Sequence, residues 1–115
     1  MTLIKNIEKS TVLPLKDMIE YEEGKVTSLT LASKPGVGIT LMAFDEGESI
    51  STHAAGGDAM VYVLEGSVEI TVGGILHTLH EGDTIVMPVA VPHSLKSLTK
   101  YKMMLVVVFP EGEEA

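Results

Sequence analysis

Residues 47–66 read GESISTHAAGGDAMVYVLEG, and the run AMVYVLE within them decides the kind of structure. On an extended chain successive side chains point to opposite faces, so Ala59, Val61 and Val63 share one side while Met60, Tyr62 and Leu64 share the other. Glu65-Gly66 reverses the chain into SVEITV, residues 67–72, and Gly73-Gly74 then separates Val72 from Ile75 with the two-residue spacing of a tight hairpin. The reading is two hairpin reversals, at 64–67 and 72–75, joining three strands as a meander.

The same alphabet continues outward in both directions. Upstream, VTSLTL at 26–31 leads through a Lys34-Pro35-Gly36 turn into a β-branched and apolar run at 37–44, which ends at Asp45-Glu46-Gly47. Downstream, Glu81-Gly82-Asp83 turns into Thr84 to Met87, Pro88 and Pro92 bracket a loop, and 102–109 closes the pattern. No window has a convincing helical period. Residues 1–25 mix short apolar clusters with charges around Pro14 and are read as an arm or edge strand. Eight or more short strands with no helices between them predict an all-β chain, best fitted by an antiparallel double-sheet jelly-roll barrel.

Composition narrows the function classes. The 115 residues suit one domain, and the 45% hydrophobic content is ordinary for a globular protein. No apolar run reaches the roughly 18 residues that a membrane helix needs, and the N-terminus lacks the pattern of a secretory signal. With no cysteine there is no disulfide or thiol nucleophile, and metal ligation falls to histidine, carboxylate and weaker oxygen donors. A cytoplasmic location is expected. A net charge of −8 with lysines scattered singly argues against nucleic acid and offers no polybasic stretch for a membrane surface. There is no G-x-S-x-G elbow and no glycine-rich phosphate loop, so a hydrolase triad has no support.

The spacing of glycine and histidine carries a more specific signal. Gly47, His53 and Gly66 fall on the pattern G-x5-H-x-H-x3-E-x6-G, with Ala55 and Ala59 at its second histidine and its glutamate; Gly82, Pro88 and His93 fall on G-x5-P-x-G-x2-H-x3-N, with Ala90 and Ser97 at the inner glycine and the asparagine. In these residues, over about 37–109, the chain resembles the cupin superfamily, in its small single-domain, cupin 2-like form. The resemblance implies the same jelly roll, a homodimer, and a metal site inside the barrel of which His53 and His93 are the surviving ligands. A divalent ion there (Zn, Mn, Fe or Ni) would be weakly held or absent, because a catalytic site usually takes three or more protein ligands.

His53, Val61, Val63, Met87 and His93 are the expected substrate-binding set, with His53 and His93 either metal ligands or hydrogen-bonded groups of a polar pocket. Met60 and Met87 flank the motif segments as candidate walls of an apolar cavity. Asp58 has the wrong parity to replace the lost glutamate unless Gly56-Gly57 introduces a bulge. His77 and His80 point oppositely on a strand; His77, on the face of Leu79, is a further pocket candidate, and His80 is expected at the surface. Three readings from two function classes remain: a binding or sensor module that grips a small organic ligand; a divalent-metal-dependent dioxygenase, isomerase or lyase acting on a small organic substrate; and a metal-free enzyme with His53 or His93 as general acid or base.

Overall fold

A computed structural model describes residues 2–110. Nine strands follow one another with no α-helix among the described residues: β1 Val26–Lys34, β2 Val37–Phe44, β3 Ser49–His53, β4 Asp58–Glu65, β5 Ser67–Val72, β6 Ile75–His80, β7 Thr84–Met87, β8 His93–Ser97 and β9 Tyr101–Val108. They form two antiparallel sheets, one of five strands in the order β1-β2-β9-β4-β7 and one of four in the order β3-β8-β5-β6. The expected jelly roll is therefore present as two facing sheets.

Alternation places the core between them. Ala59, Val61 and Val63 of β4 meet Val68 and Ile70 of β5, Leu79, Leu95, Phe44, Tyr101 and Met103 in one buried cluster. Phe44 and Tyr101 are cross-strand neighbours whose ring centroids lie 5.2 Å apart at a 47° tilt. Burial raises the Tyr101 hydroxyl well above its usual pKa, and that hydroxyl donates to the Met103 sulfur at 2.9 Å.

β2 is apolar in both parities because both of its faces are covered. Met42 and Phe44 look toward the other sheet, while Leu41 and Ala43 belong to a second cluster, with Leu31 and Ile19, under the N-terminal arm. Residues 2–25 add no strand to either sheet; they cross this outer face with one short 3-10 turn, Leu15–Asp17. Left-handed backbone at Asn6 (φ 67) and Ser10 (φ 58) breaks any extended run there. Polar ties hold the arm down: the Asn6 side chain donates to Thr30 O at 2.6 Å, Lys102 Nζ donates to Lys16 O at 2.5 Å, and the Tyr21 hydroxyl donates to Glu65. Lys102 is only 8% exposed and lies 4.8 Å from the Tyr21 ring centre, so its charge is shared between a carbonyl and an aromatic face.

One local expectation fails. Val72 pairs with Ile75 as the Gly73-Gly74 hairpin requires, but β4 does not pair with β5: it pairs with β9 and β7, while β5 lies in the other sheet. Gly66 is a corner where the chain crosses between sheets. Its φ of +80° and its closeness to the β8–β9 corner, where a Cβ would sit 2.0 Å from Lys100 O, explain why glycine stands there. Alternation and a glycine mark a reversal equally well for a hairpin and for a sheet-crossing bend.

Candidate functional site

β3 and β8 lie side by side and bring His53 directly opposite His93. Ile50 pairs with Leu95 and His53 with His93, three steps along β3 against two along β8, so β3 carries one extra residue. This bulge lets Ile50 and His53, which an unbroken alternation would place on opposite faces, both line the interior.

The two rings meet edge to face, with centroids 4.3 Å apart at 70°, and their Nε2 atoms are 3.1 Å apart. Each Nδ1 faces a backbone carbonyl two residues back: His53 Nδ1 lies 3.0 Å from Ser51 O, and His93 Nδ1 lies 3.2 Å from Val91 O. A carbonyl can only accept, so both Nδ1 atoms carry hydrogen and donate, and neutral rings turn two bare Nε2 lone pairs toward each other. One proton or one cation between them satisfies both. A second proton is opposed, since His93 is 3% exposed and held below its ordinary pKa by burial, with the Val91 carbonyl acting in the other direction and the nearby His53 adding to the depression. His53, by contrast, is exposed and stands at the mouth.

Behind the pair is a cavity of about 190 Å³, walled by Met42, Ile50, Ala55, Ala59, Met87, Leu95, Met103, Leu105 and Val107. Among the described residues the two imidazoles are the only polar side chains that line it. All four motif positions, His53, Ala55, Ala59 and His93, thus converge on one space, two with donors and two with methyl groups. Among the described residues no group of three or more His, Cys, Asp or Glu comes together to hold a metal. The donors present do not fit a tightly held divalent ion, which needs a third imidazole or a carboxylate where Ala55 and Ala59 stand.

Of the expected substrate-binding set, His53, Met87 and His93 line this cavity. Val61 and Val63 share the face of Ala59 but lie further along β4, fully buried in the inter-sheet core and off the cavity wall. Met60 is no cavity wall: it points to the outer face of the five-stranded sheet, 37% exposed. His77, opposite Ile70 on the edge strand β6, is exposed and outside the cavity, and His80 is exposed as well. Asp58 keeps the wrong parity; its Oδ1 accepts the Val89 N–H at 2.8 Å and so ties down the β7–β8 loop. At Gly57 glycine is required by packing, since the residue is buried against the β9 backbone, where a Cβ would sit 2.3 Å from Val108 O.

Two motif replacements have structural work of their own. Ala90 keeps the left-handed backbone of the glycine it replaces, φ 64, and donates its N–H to Ala55 O at 3.0 Å, so the loop entering β8 is latched to the cavity rim. Ser97 directs its hydroxyl at Asp45 O, 2.7 Å, and Glu48 O, 3.0 Å, closing the turn that leads into β3. Six wall residues were not foreseen: Met42, Ile50, Leu95, Met103, Leu105 and Val107. For Met42, Met103, Leu105 and Val107 parity is visible in their own strands but the order β2-β9-β4 is not, and Ile50 reaches the cavity only through the β3 bulge, opposite Leu95 on β8.

Comparison with known proteins agrees with this geometry. No curated protein matches the sequence. Among solved structures the chain is similar to a conserved protein of unknown function from Streptococcus pyogenes, at 41% identity over 97% of this chain and 98% of that one, with a TM-score of 0.94. It is also similar to a cupin superfamily protein from Desulfitobacterium hafniense, at 30% identity over 93% and 98% of the two chains, TM-score 0.89. A cupin 2 conserved barrel domain protein from Leptotrichia buccalis shares 37% identity over 81% of this chain but only 45% of that longer one, TM-score 0.79. The Cupin_2 family model, described as a cupin domain, matches residues 40–109, the stretch that holds both histidines and every wall of the cavity, and the chain belongs to that family.

Proposed function

We propose that this protein is a small-molecule-binding cupin barrel, a binding or sensor module whose ligand sits in the cavity behind His53 and His93. One observation carries the reading: an apolar cavity whose only polar side chains, among the described residues, are two convergent imidazoles. Such a space rewards a ligand with an apolar body and one acidic or hydrogen-bonding head. Its volume of about 190 Å³ exceeds the roughly 150 Å³ cavity that accommodates benzene in an engineered core, so a one-ring molecule fits. A carboxylic or phenolic head would donate its O–H to one of the bare Nε2 atoms. The ligand's body would rest on Met42, Leu105 and Val107.

The alternative is a divalent-metal-dependent cupin enzyme, a dioxygenase, isomerase or lyase acting on a small organic substrate. The convergence of all four motif positions on one cavity favours it, and the methyl groups at Ala55 and Ala59 oppose it.

Benzoate, phenol and related one-ring acids titrated against the imidazole ring-proton signals test the binding reading. At least one should shift both rings in a saturable way, with the response lost in His93→Ala. Signals unmoved by every member of the panel would sink it.

A further inference from the structure

We propose that the His53–His93 pair, together with the Met87 thioether, forms a site for a soft monovalent cation, Cu(I), and that this chain has exchanged a hard divalent centre for a soft one. The inference rests on the placement of the site given above and concerns the ion that the pair accepts. Four observations carry it.

The first is the pincer. Two bare Nε2 atoms 3.1 Å apart are spaced like neighbouring ligands of one ion, since metal–nitrogen bonds of about 2.0–2.1 Å at right to tetrahedral angles put such atoms roughly 2.8–3.4 Å apart. Their Nδ1 atoms are held by the Ser51 and Val91 carbonyls, so both rings are oriented with the metal-binding nitrogen already free.

The second is charge. Among the described residues no carboxylate or other ionisable group besides the two histidines lines the cavity, so every donor described there is neutral. Born solvation scales with the square of the charge, which makes a dication about four times as costly as a monocation to bring into such surroundings without a counter-charge. The surroundings therefore select against Zn²⁺ and Mn²⁺ and tolerate a single positive charge.

The third is the sulfur supply. Met42, Met87 and Met103 all line the same cavity as the imidazoles. Thioethers are soft donors that favour Cu(I) over hard divalent ions. Met103 already accepts the Tyr101 hydroxyl at its sulfur, which leaves Met87 and Met42 to turn toward the pair.

The fourth is position. Ala59 and Met87 are direct cross-strand partners on β4 and β7, so their side chains leave the sheet on the same face as neighbours. Ala59 occupies the place of the family pattern's carboxylate, and the flexible Met87 side chain, 2% exposed, stands beside the volume that the missing carboxylate vacates. One substitution removes the hard anionic donor and the residue next to it offers a soft neutral one. His53 at the mouth gives the ion a way in.

The test is anaerobic competition for Cu(I) against bicinchoninate on untagged protein, with Zn²⁺ and Mn²⁺ titrated in parallel. One Cu(I) per chain is expected, held at least about a hundredfold more tightly than either divalent ion. X-ray absorption at the copper edge should show sulfur as well as nitrogen, and the Met87 methyl signal should move on adding Ag(I), a redox-inert stand-in. Met87→Leu should weaken Cu(I) by about tenfold or more and leave the feeble Zn²⁺ binding unchanged, His93→Ala should abolish both, and Ala59→Glu should swing the preference toward the divalent ions. Zn²⁺ or Mn²⁺ bound as tightly as Cu(I), a copper site with nitrogen alone, or no copper binding at all overturns the proposal. If that happens while one-ring acids still shift the imidazole signals, the binding reading stands without it; if those signals respond to neither, both fall.

Discussion

His93 is almost wholly buried, and its Nε2 lies 3.1 Å from that of His53. For His93 the folded pKa lies below the ordinary 6.5, through burial first and the neighbouring His53 in addition. Below pH 6.5 the unfolded chain therefore binds more protons than the folded one, and stability present at neutral pH declines as the solution is acidified toward the lowered folded value. The urea midpoint should fall between pH 7.5 and pH 5, and His93→Asn should flatten that part of the curve; an equal slope in both proteins would remove the pair as its source. The two imidazoles were legible from spacing alone, because glycine and histidine at fixed offsets do not depend on knowing strand partners. Val61 and Val63 show the limit of the same reasoning. Parity places them on the inner face, correctly, but parity cannot say how far along a strand the cavity ends and the packed core begins.

Between residue and fold, two local irregularities set the site in place, and alternation alone indicates neither. The β3 bulge turns Ile50 and His53 to the same side, and it is visible only once the register against β8 is known. Gly66 sends the chain from one sheet to the other, and its role was mistaken for a hairpin because both turns ask for the same residue. The difference between those turns is measurable. At a hairpin tip an alanine would meet open space, whereas here its Cβ would come 2.0 Å from Lys100 O with φ at +80°. Left-handed strain and a forced shift of backbone together cost about 2–5 kcal/mol, a large share of the stability of so small a domain. Gly66→Ala should lower Tm on the order of 10 °C, while the same change at Gly74, which has nothing within 4 Å, should cost only its backbone strain. Equal losses at the two sites would restore the hairpin reading. At Gly73-Gly74 the hairpin forms as expected, Val72 pairing with Ile75.

At the scale of the whole molecule, the described residues leave a broad apolar surface uncovered. The arm of residues 2–25 closes the β1–β2 half of the outer face, burying Leu31, Leu41 and Ala43, and reaches Leu64 at the end of β4, but it leaves Met60 and Tyr62 of β4 and Val86 of β7 exposed. There Met60, Tyr62 and Val86 stand 37%, 39% and 51% exposed, with Val106 as the cross-strand partner of Met60 and Met104 as that of Tyr62. The sheet also ends at β7, a four-residue strand with one free edge. Short length limits what that edge can recruit, yet it does not hide the apolar stripe beside it. An apolar stripe on a sheet that the other described residues do not cover is the kind of surface that a second copy closes by two-fold symmetry, each stripe packing on the other. The expected particle is thus a homodimer of about twice 12.3 kDa at micromolar concentration. Tyr62→Glu would put two like charges near the dyad without touching the inter-sheet core, since Tyr62 faces away from Val61 and Val63. That variant should sediment as a monomer with its circular dichroism and its ligand response unchanged, because the cavity lies on the other side of β4. A wild-type protein that already sediments at 12.3 kDa, or a Tyr62→Glu protein that remains a dimer, would take this face out of the assembly.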